Sequence, residues 1–396
     1  MTLSKKKILL LYEFFYPGYK SGGPVQSLLN MTKNLSKEYY FKIATTAFDL
    51  HDQMPYKDLI LDCWTDLKLN EGADVKVWYS SQKKPSIFEI QKVIKSSRAD
   101  IIYINGFYTN HFLFPLILNK IGLVGEKKII ISPRGMLQKG ALKNKSLIKQ
   151  FYLYFLKLTG LMKHVHFHAT TEDEINDIKK IFGKNIKAVI AGNIPKRPLI
   201  NLVSANKNVG ELRLVYLSLI SEKKNLLLLL KELTLVKSKI SLDIYGPIKD
   251  EQYWLKCKEE IDKLPNNISV SYKGDIHPDK VQATIGEYHA FLLLTSGENF
   301  GHAIYESLSV GTPVIISNKT PWKFEATSNP PGWIVNLEKD EESQHADLKE
   351  VLIKLYNMDN ETFSLSSKAA HEYAIDFYQS QDFKKQYTDL FNSFDH

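Results

Sequence analysis

Along the chain, short runs of aliphatic and β-branched residues alternate with longer stretches in which apolar positions recur at three- and four-residue spacing. The runs at 7–12, 41–46, 74–78, 100–104, 128–132, 165–169 and 187–191 predict strands, and the stretches at 25–35, 87–95 and 172–182 predict helices in the gaps. Asn193-Ile194-Pro195 opens a polar, proline-bearing segment to about Glu211 that reads as a linker. Beyond it the rhythm restarts. Strands at 213–217, 241–245, 269–273, 290–294, 313–317 and 333–335 alternate with helices at 225–236, 251–263 and 302–310. Such alternation is the mark of parallel sheets with crossover helices. The expectation is an α/β chain of two Rossmann-like, doubly wound domains at 1–195 and 211–370. A terminal segment at 371–396 follows, with Phe383, Tyr387, Leu390 and Phe391 at helical spacing within 381–393. Ligands of doubly wound sheets lie beyond the carboxyl ends of the strands. The strand-to-helix loops are therefore where chemistry is expected.

Composition narrows the picture. A length of 396 residues exceeds the roughly 250–300 at which single cores divide, and 12% aromatic residues do not suit a disordered chain. Cys63 and Cys257 are the only cysteines, without metal-ligand spacing, which predicts neither a disulfide framework nor a zinc site and fits a reducing cytoplasm. Lys5-Lys6-Lys7 before the first apolar run imitates a signal peptide, but Glu13 and Pro17 end that run early. No stretch approaches the ~18 apolar residues of a spanning helix; the nearest, 112–125, contains Asn119 and Lys120.

Charge is unevenly placed. The net +8 divides into +13 over residues 1–195 and −5 over 196–396, and from Lys127 to Thr171 nine basic residues stand with no acidic one. That is a footprint for an anionic partner, with nucleic acid, phospholipid and pyrophosphate all open. No nucleic-acid reader motif accompanies it, so nucleic acid is the least expected.

The loop after the strand at 290–294 reads Ser296-Gly297-Glu298-Asn299-Phe300-Gly301-His302, and Glu306 follows two turns into the next helix. Ionised carboxylates accept paired hydrogen bonds, which suits the vicinal hydroxyls of a hexose or ribose. Taken alone, a loop acid and a solvated helix acid would look the same. A second loop, Ser218-Leu219-Ile220-Ser221-Glu222-Lys223-Lys224-Asn225, also follows a strand and carries lysines at a helix start. At the N-terminus, Tyr16-Pro17-Gly18-Tyr19-Lys20-Ser21-Gly22-Gly23-Pro24 joins a strand to a helix. Its glycines permit close approach of the backbone to a phosphate, or simply make a turn.

The Glu298-x7-Glu306 spacing, Gly301 and Gly311-Thr312-Pro313-Val314-Ile315 resemble the signature of family-4 retaining glycosyltransferases of the GT-B fold, of the bacterial surface-polysaccharide type. The resemblance extends loosely over nearly the whole chain. It implies two facing domains with a cleft between them and a terminal helix that returns to the first. It also implies a nucleoside-diphosphate sugar of UDP or GDP type as donor, with no metal and no cofactor, in keeping with the lack of an Asp-x-Asp triplet. By carry-over, Glu298 holds donor-sugar hydroxyls and Glu306 the ribose. Asn299, Phe300, Gly301 and His302 line the sugar, Lys224 binds the diphosphate, and Gly22 and Gly23 lie over it. Two positions depart from the pattern: Leu219 replaces the family's phosphate-binding Arg, for which Lys223 or Arg134 are candidate substitutes, and Asn105 replaces a sugar-binding His. An amide donates a hydrogen bond but is no proton-transfer base. His111 is expected to be a packing or surface residue.

Arg134, in Ser132-Pro133-Arg134-Gly135, leads into Lys139, Lys143, Lys145, Lys149, Lys157 and Lys163, interleaved with Phe151, Tyr152, Tyr154 and Phe155. Either a basic amphipathic helix for an anionic membrane or a core-packed helix with solvated lysines has this pattern. With the resemblance, the expected acceptor is a glycan or a polyprenyl-diphosphate-linked glycan, met by a cytoplasmic enzyme that is peripheral on the inner membrane face. A non-catalytic sugar-nucleotide-binding subunit and a nucleotide-sugar epimerase of GT-B fold are the alternatives.

Overall fold

The computed structural model describes the chain apart from residues 1–4, 70–71, 139–141, 143–145, 201, 204, 235–236, 326 and 395–396. Two compact units emerge, Met1–Ile194 together with Asp382–His396, and Pro195–Gln381.

In the first unit the strands are β1 (Lys7–Leu11), β2 (Tyr40–Thr46), β3 (Trp64–Leu69), β4 (Ala73–Ser80), β5 (Ile101–Asn105), β6 (Lys128–Ser132), β7 (Val165–Ala169) and β8 (Lys187–Ile190). The helices are α1 (Gly23–Leu35), α2 (Ile87–Ser97), α3 (Asn110–Lys120), α4 (Ser146–Leu158) and α5 (Glu172–Phe182). The sheet runs β3-β4-β2-β1-β5-β6-β7-β8, parallel except for β3. Sequences such as Ile101-Ile102-Tyr103-Ile104 are buried on both faces, as expected where helices cover a parallel sheet on both sides. β3, absent from the expected elements, is an antiparallel edge strand with Trp64 opposite Trp78. Its alternating, largely polar Trp-Thr-Asp-Leu-Lys-Leu gives no continuous apolar run to read.

The second unit holds β9 (Leu212–Leu217), β10 (Ile240–Tyr245), β11 (Ile268–Gly274), β12 (Ala290–Leu293), β13 (Val314–Ser317) and β14 (Gly332–Val335) in the order β11-β10-β9-β12-β13-β14, all parallel. Its helices are α6 (Leu226–Thr234), α7 (Glu251–Ile261), α8 (Pro278–Ile285), α9 (His302–Ser309), α10 (Glu341–Asn357) and α11 (Asn360–Ser380). Asp250, Asp340 and Asp359 cap α7, α10 and α11 by accepting from backbone N–H groups in the first turn. Every expected strand forms, its ends moving by a residue or two, whereas α8, α10 and α11 were not expected.

The segment read as a linker differs from that expectation. From Pro195 onward it belongs to the second unit, and Lys207 within it is buried, its ammonium donating to the carbonyls of Asn208, Tyr356 and Met358 at the end of α10. Residues 371–380, assigned to the terminal segment, are the end of α11 in the second unit. The last helix, α12 (Phe383–Asn392), belongs to the first, where Tyr387, Leu390 and Phe391 are buried and Phe391 meets Tyr39 and Tyr103 edge-on. No described helix is long and apolar enough to cross a membrane.

Candidate active site

Strand order fixes where ligands go. In the second unit the order reverses between β9 and β12, and the loops beyond their carboxyl ends carry Lys224 and Glu298. Lys224 ends a single 3-10 turn, Glu222–Lys224, and its ammonium pairs directly with the Glu298 carboxylate. The backbone ties these loops together. The Lys223 carbonyl accepts from Ser296 N at 2.9 Å, Ser296 Oγ at 3.0 Å and Thr295 Oγ1 at 3.1 Å, while Glu298 N donates to Lys319 O at 3.0 Å. Burial, followed by repulsion from Lys223 and Lys249, pushes the Lys224 ammonium down to about 7, and Glu298 in contact works against that shift.

Lys249 was missed by the sequence reading. It lies on the loop after β10, whose Ile248 bridges to Ile220, and Lys249 N donates to Ile220 O at 3.1 Å. The Lys249 backbone thus joins the residue after the half-buried Leu219, from a loop some thirty residues further along the chain. Lys223 and Lys249 act on Lys224 as like charges, so this corner gathers the cations that a diphosphate needs.

Gly301 precedes α9 with φ +80°, and a Cβ there would run into Ile304, so the position requires glycine. Phe300 packs its ring against Trp322 and His302, and its carbonyl accepts from Trp322 Nε1 at 2.5 Å. Asn299 follows Glu298 in the same loop, half-buried. Glu306, two turns into α9, is only 8% exposed; burial raises its carboxyl above the usual range while Lys196 pulls it back. Lys196 Nζ stands 3.6 Å from Glu306 Oε1.

In the first unit the reversal falls between β1 and β5. The loop after β1 is held by Asp49, whose Oδ2 accepts from Tyr19 N at 2.9 Å and Lys20 N at 3.2 Å. It ends at Gly22, φ +73° and ψ −135°, a conformation for glycine alone, and Gly23 starts α1 without a side-chain cap. Asn105 closes β5. Its Oδ1 accepts from Arg134 Nε at 2.7 Å, which turns the amide so that Nδ2 points away, buried and with no partner. The rest of the Arg134 guanidinium donates to Asn193 Oδ1 at 2.5 Å and Tyr103 Oη at 3.0 Å, and Tyr387 also bonds it. Arg134 is therefore engaged within the first unit. His111 is buried on α3 and pushed down to about 4, a neutral packing residue.

Of the basic candidates, Lys143 and Lys145 lie outside the described residues; Lys149 is on α4 with its ammonium 5.8 Å from the Tyr108 ring centroid. Among the described residues no group of three His, Cys, Asp or Glu side chains gathers to hold a metal ion.

Residues 200–369 match the family profile described as "Glycosyl transferases group 1". The chain is a glycosyltransferase. Solved structures with the same architecture include Anabaena HepE in complex with UDP and glucose, 15% identical with a TM-score of 0.69 over 98% of this chain and 99% of that one. Sucrose-phosphate synthase from Thermosynechococcus elongatus is 12% identical, with a TM-score of 0.70 over 98% of this chain and 100% of that one. WaaG, a glycosyltransferase involved in lipopolysaccharide biosynthesis, is 14% identical, with a TM-score of 0.61 over 97% and 99%. At these identities the likeness establishes the GT-B fold of this glycosyltransferase. No curated protein matches the sequence.

Proposed function

We propose that this glycosyltransferase moves a sugar from a nucleoside diphosphate of UDP or GDP type to a hydroxyl of a glycan or polyprenyl-diphosphate-linked glycan. The anomeric configuration is retained, and the product serves surface polysaccharide such as O-antigen, capsule or exopolysaccharide. The observation that carries the reading is the direct Lys224–Glu298 pair at the strand reversal of the second unit, with Glu306 buried on the helix behind it. When donor binds, the Lys224 ammonium exchanges Glu298 for the diphosphate, and Glu298 is released to accept from sugar hydroxyls. Charge builds on the departing diphosphate as the sugar becomes an oxocarbenium ion, and Lys224 with Lys249 stabilises it. A phosphate oxygen takes the acceptor proton on the same face. Neither metal nor cofactor takes part. HepE, with UDP and glucose in its structure, supports the donor class, and WaaG supports the glycan context.

The acceptor side rests on α4. Leu147, Ile148, Phe151, Tyr154 and Leu158 are exposed on it, Phe151 at 79%, in the stretch that carries nine basic residues and no acidic one. Apolar groups beside lysines suit the headgroup zone of an anionic membrane, which supports a peripheral position at the inner face of the cell membrane.

Calorimetric titration with UDP, GDP and ADP in EDTA tests the donor reading, followed by turnover of the labelled sugar nucleotide and NMR of the product anomer. Binding of one nucleotide that Lys224→Ala and Glu306→Gln both weaken is expected. Leu219 favours one second reading, a non-catalytic sugar-nucleotide-binding subunit, which predicts nucleotide binding without turnover under any acceptor.

A further inference from the structure

Lys196 comes from the segment before β9, far in sequence from the acidic motif, yet its ammonium donates to Pro278 O at 2.7 Å and stands 3.6 Å from Glu306 Oε1. Glu306 is nearly sealed from solvent, and a buried carboxylate without a cation reverts toward its neutral form. Other ionisable groups on the packed elements are committed elsewhere or lie apart from it. On α8, Asp279 pairs with His277 beside Lys280; on α11, Lys368 pairs with Glu372 and His371 meets Ser309 O at 2.9 Å. β12 and β13 carry no ionisable side chain. On α9 itself, Tyr305 donates to Ala374 O and His302 packs on Phe300. Among the described residues Lys196 is the one cation paired with Glu306.

We propose that Lys196 is a positioning residue for the donor ribose: anchored on the Pro278 carbonyl, it keeps Glu306 as a carboxylate whose free lone pairs accept both vicinal ribose hydroxyls. The proposal rests on the donor reading above and deepens it. A protonated Glu306 presents one donor and less acceptor capacity, and binds a cis-diol poorly. Affinity for a ribonucleotide therefore has an acid limb set by Glu306, and Lys196 determines where that limb lies. The Glu306 carboxyl already sits above its usual range with Lys196 in place. Without the ammonium it rises further.

The test is titration of the full chain with UDP and with 2′,3′-dideoxy-UDP across pH 5–8, for wild type, Lys196→Met, Lys196→Arg and Lys224→Ala. Lys196→Met is expected to move the acid limb up by about one pH unit, and so to bind UDP up to about tenfold more weakly on the acid side of the limb. Lys196→Arg restores both. The advantage of UDP over its dideoxy analogue shrinks in Lys196→Met. A thermal melt separates a mere anchoring role, which lowers the melting temperature and leaves the acid limb where it was; that result, with UDP still bound and still weakened by Lys224→Ala, overturns this proposal alone. Failure of the wild type to bind UDP, GDP or ADP overturns the donor reading, and this one with it.

Discussion

At the residue scale, two side chains carry measurable consequences beyond the ribose. Lys224 is pushed down to about 7 by burial and by Lys223 and Lys249, so above that pH the empty site holds a growing fraction of neutral amine. A diphosphate favours the ammonium, so binding must bring a proton with it. Nucleotide affinity is expected to be highest between the acid limb of Glu306 and about pH 7, and to fall by up to about tenfold per pH unit above that. Calorimetry in two buffers of different ionisation enthalpy should show proton uptake at pH 8 that vanishes in Lys224→Ala. Arg134 donates to Asn105, Asn193 and Tyr103 from a backbone at φ +53°. Replacing it with Met leaves Asn105 Oδ1 without its donor, while Asn193 keeps Ser27 and Tyr103 keeps His168, and is expected to cost about 1–3 kcal/mol in urea unfolding of the first unit. It also frees the Asn105 amide to turn, so the surviving activity should fall mainly in kcat/KM.

At the scale of elements, α4 is divided against itself. Leu153 and Leu156 face the core, while Leu147, Ile148, Phe151 and Leu158 face outward. Replacing Phe151 and Leu158 together with Asp leaves the core contacts intact and is expected to abolish sedimentation with phosphatidylglycerol vesicles; unchanged sedimentation would remove the membrane role. The sheets were legible because buried parallel strands are written as unbroken aliphatic runs, Ile129-Ile130-Ile131 being one. β3 escaped because an exposed edge strand has no such run. α10 and α11 escaped because long helices with mixed faces blur their periodicity, although Asp340 and Asp359 marked their starts. In the site, Glu298, Glu306 and Lys224 were legible through their spacing to strand ends and the family resemblance. Lys196 and Lys249 were not, since each arrives from a different loop and only tertiary structure brings it near.

For the whole molecule, the division into units is not a division of the sequence. The first unit takes Met1–Ile194 and then Asp382–His396, with Tyr387, Leu390 and Phe391 of α12 in its core. Removing residues 382–396 is expected to lower the melting temperature of the first unit by several degrees or unfold it, while the second, whose core is its own, keeps its transition. Calorimetry of the truncated chain reads this directly. On the ribosome, the same arrangement sets a waiting time. At about 5–20 residues per second, roughly 10–40 s pass between emergence of the first 194 residues and arrival of their last helix. For that interval the places of Tyr387 and Phe391 beside His168, Tyr103 and Tyr39 stand open. Until α12 has emerged, the nascent first unit exposes the apolar surface that this helix will cover.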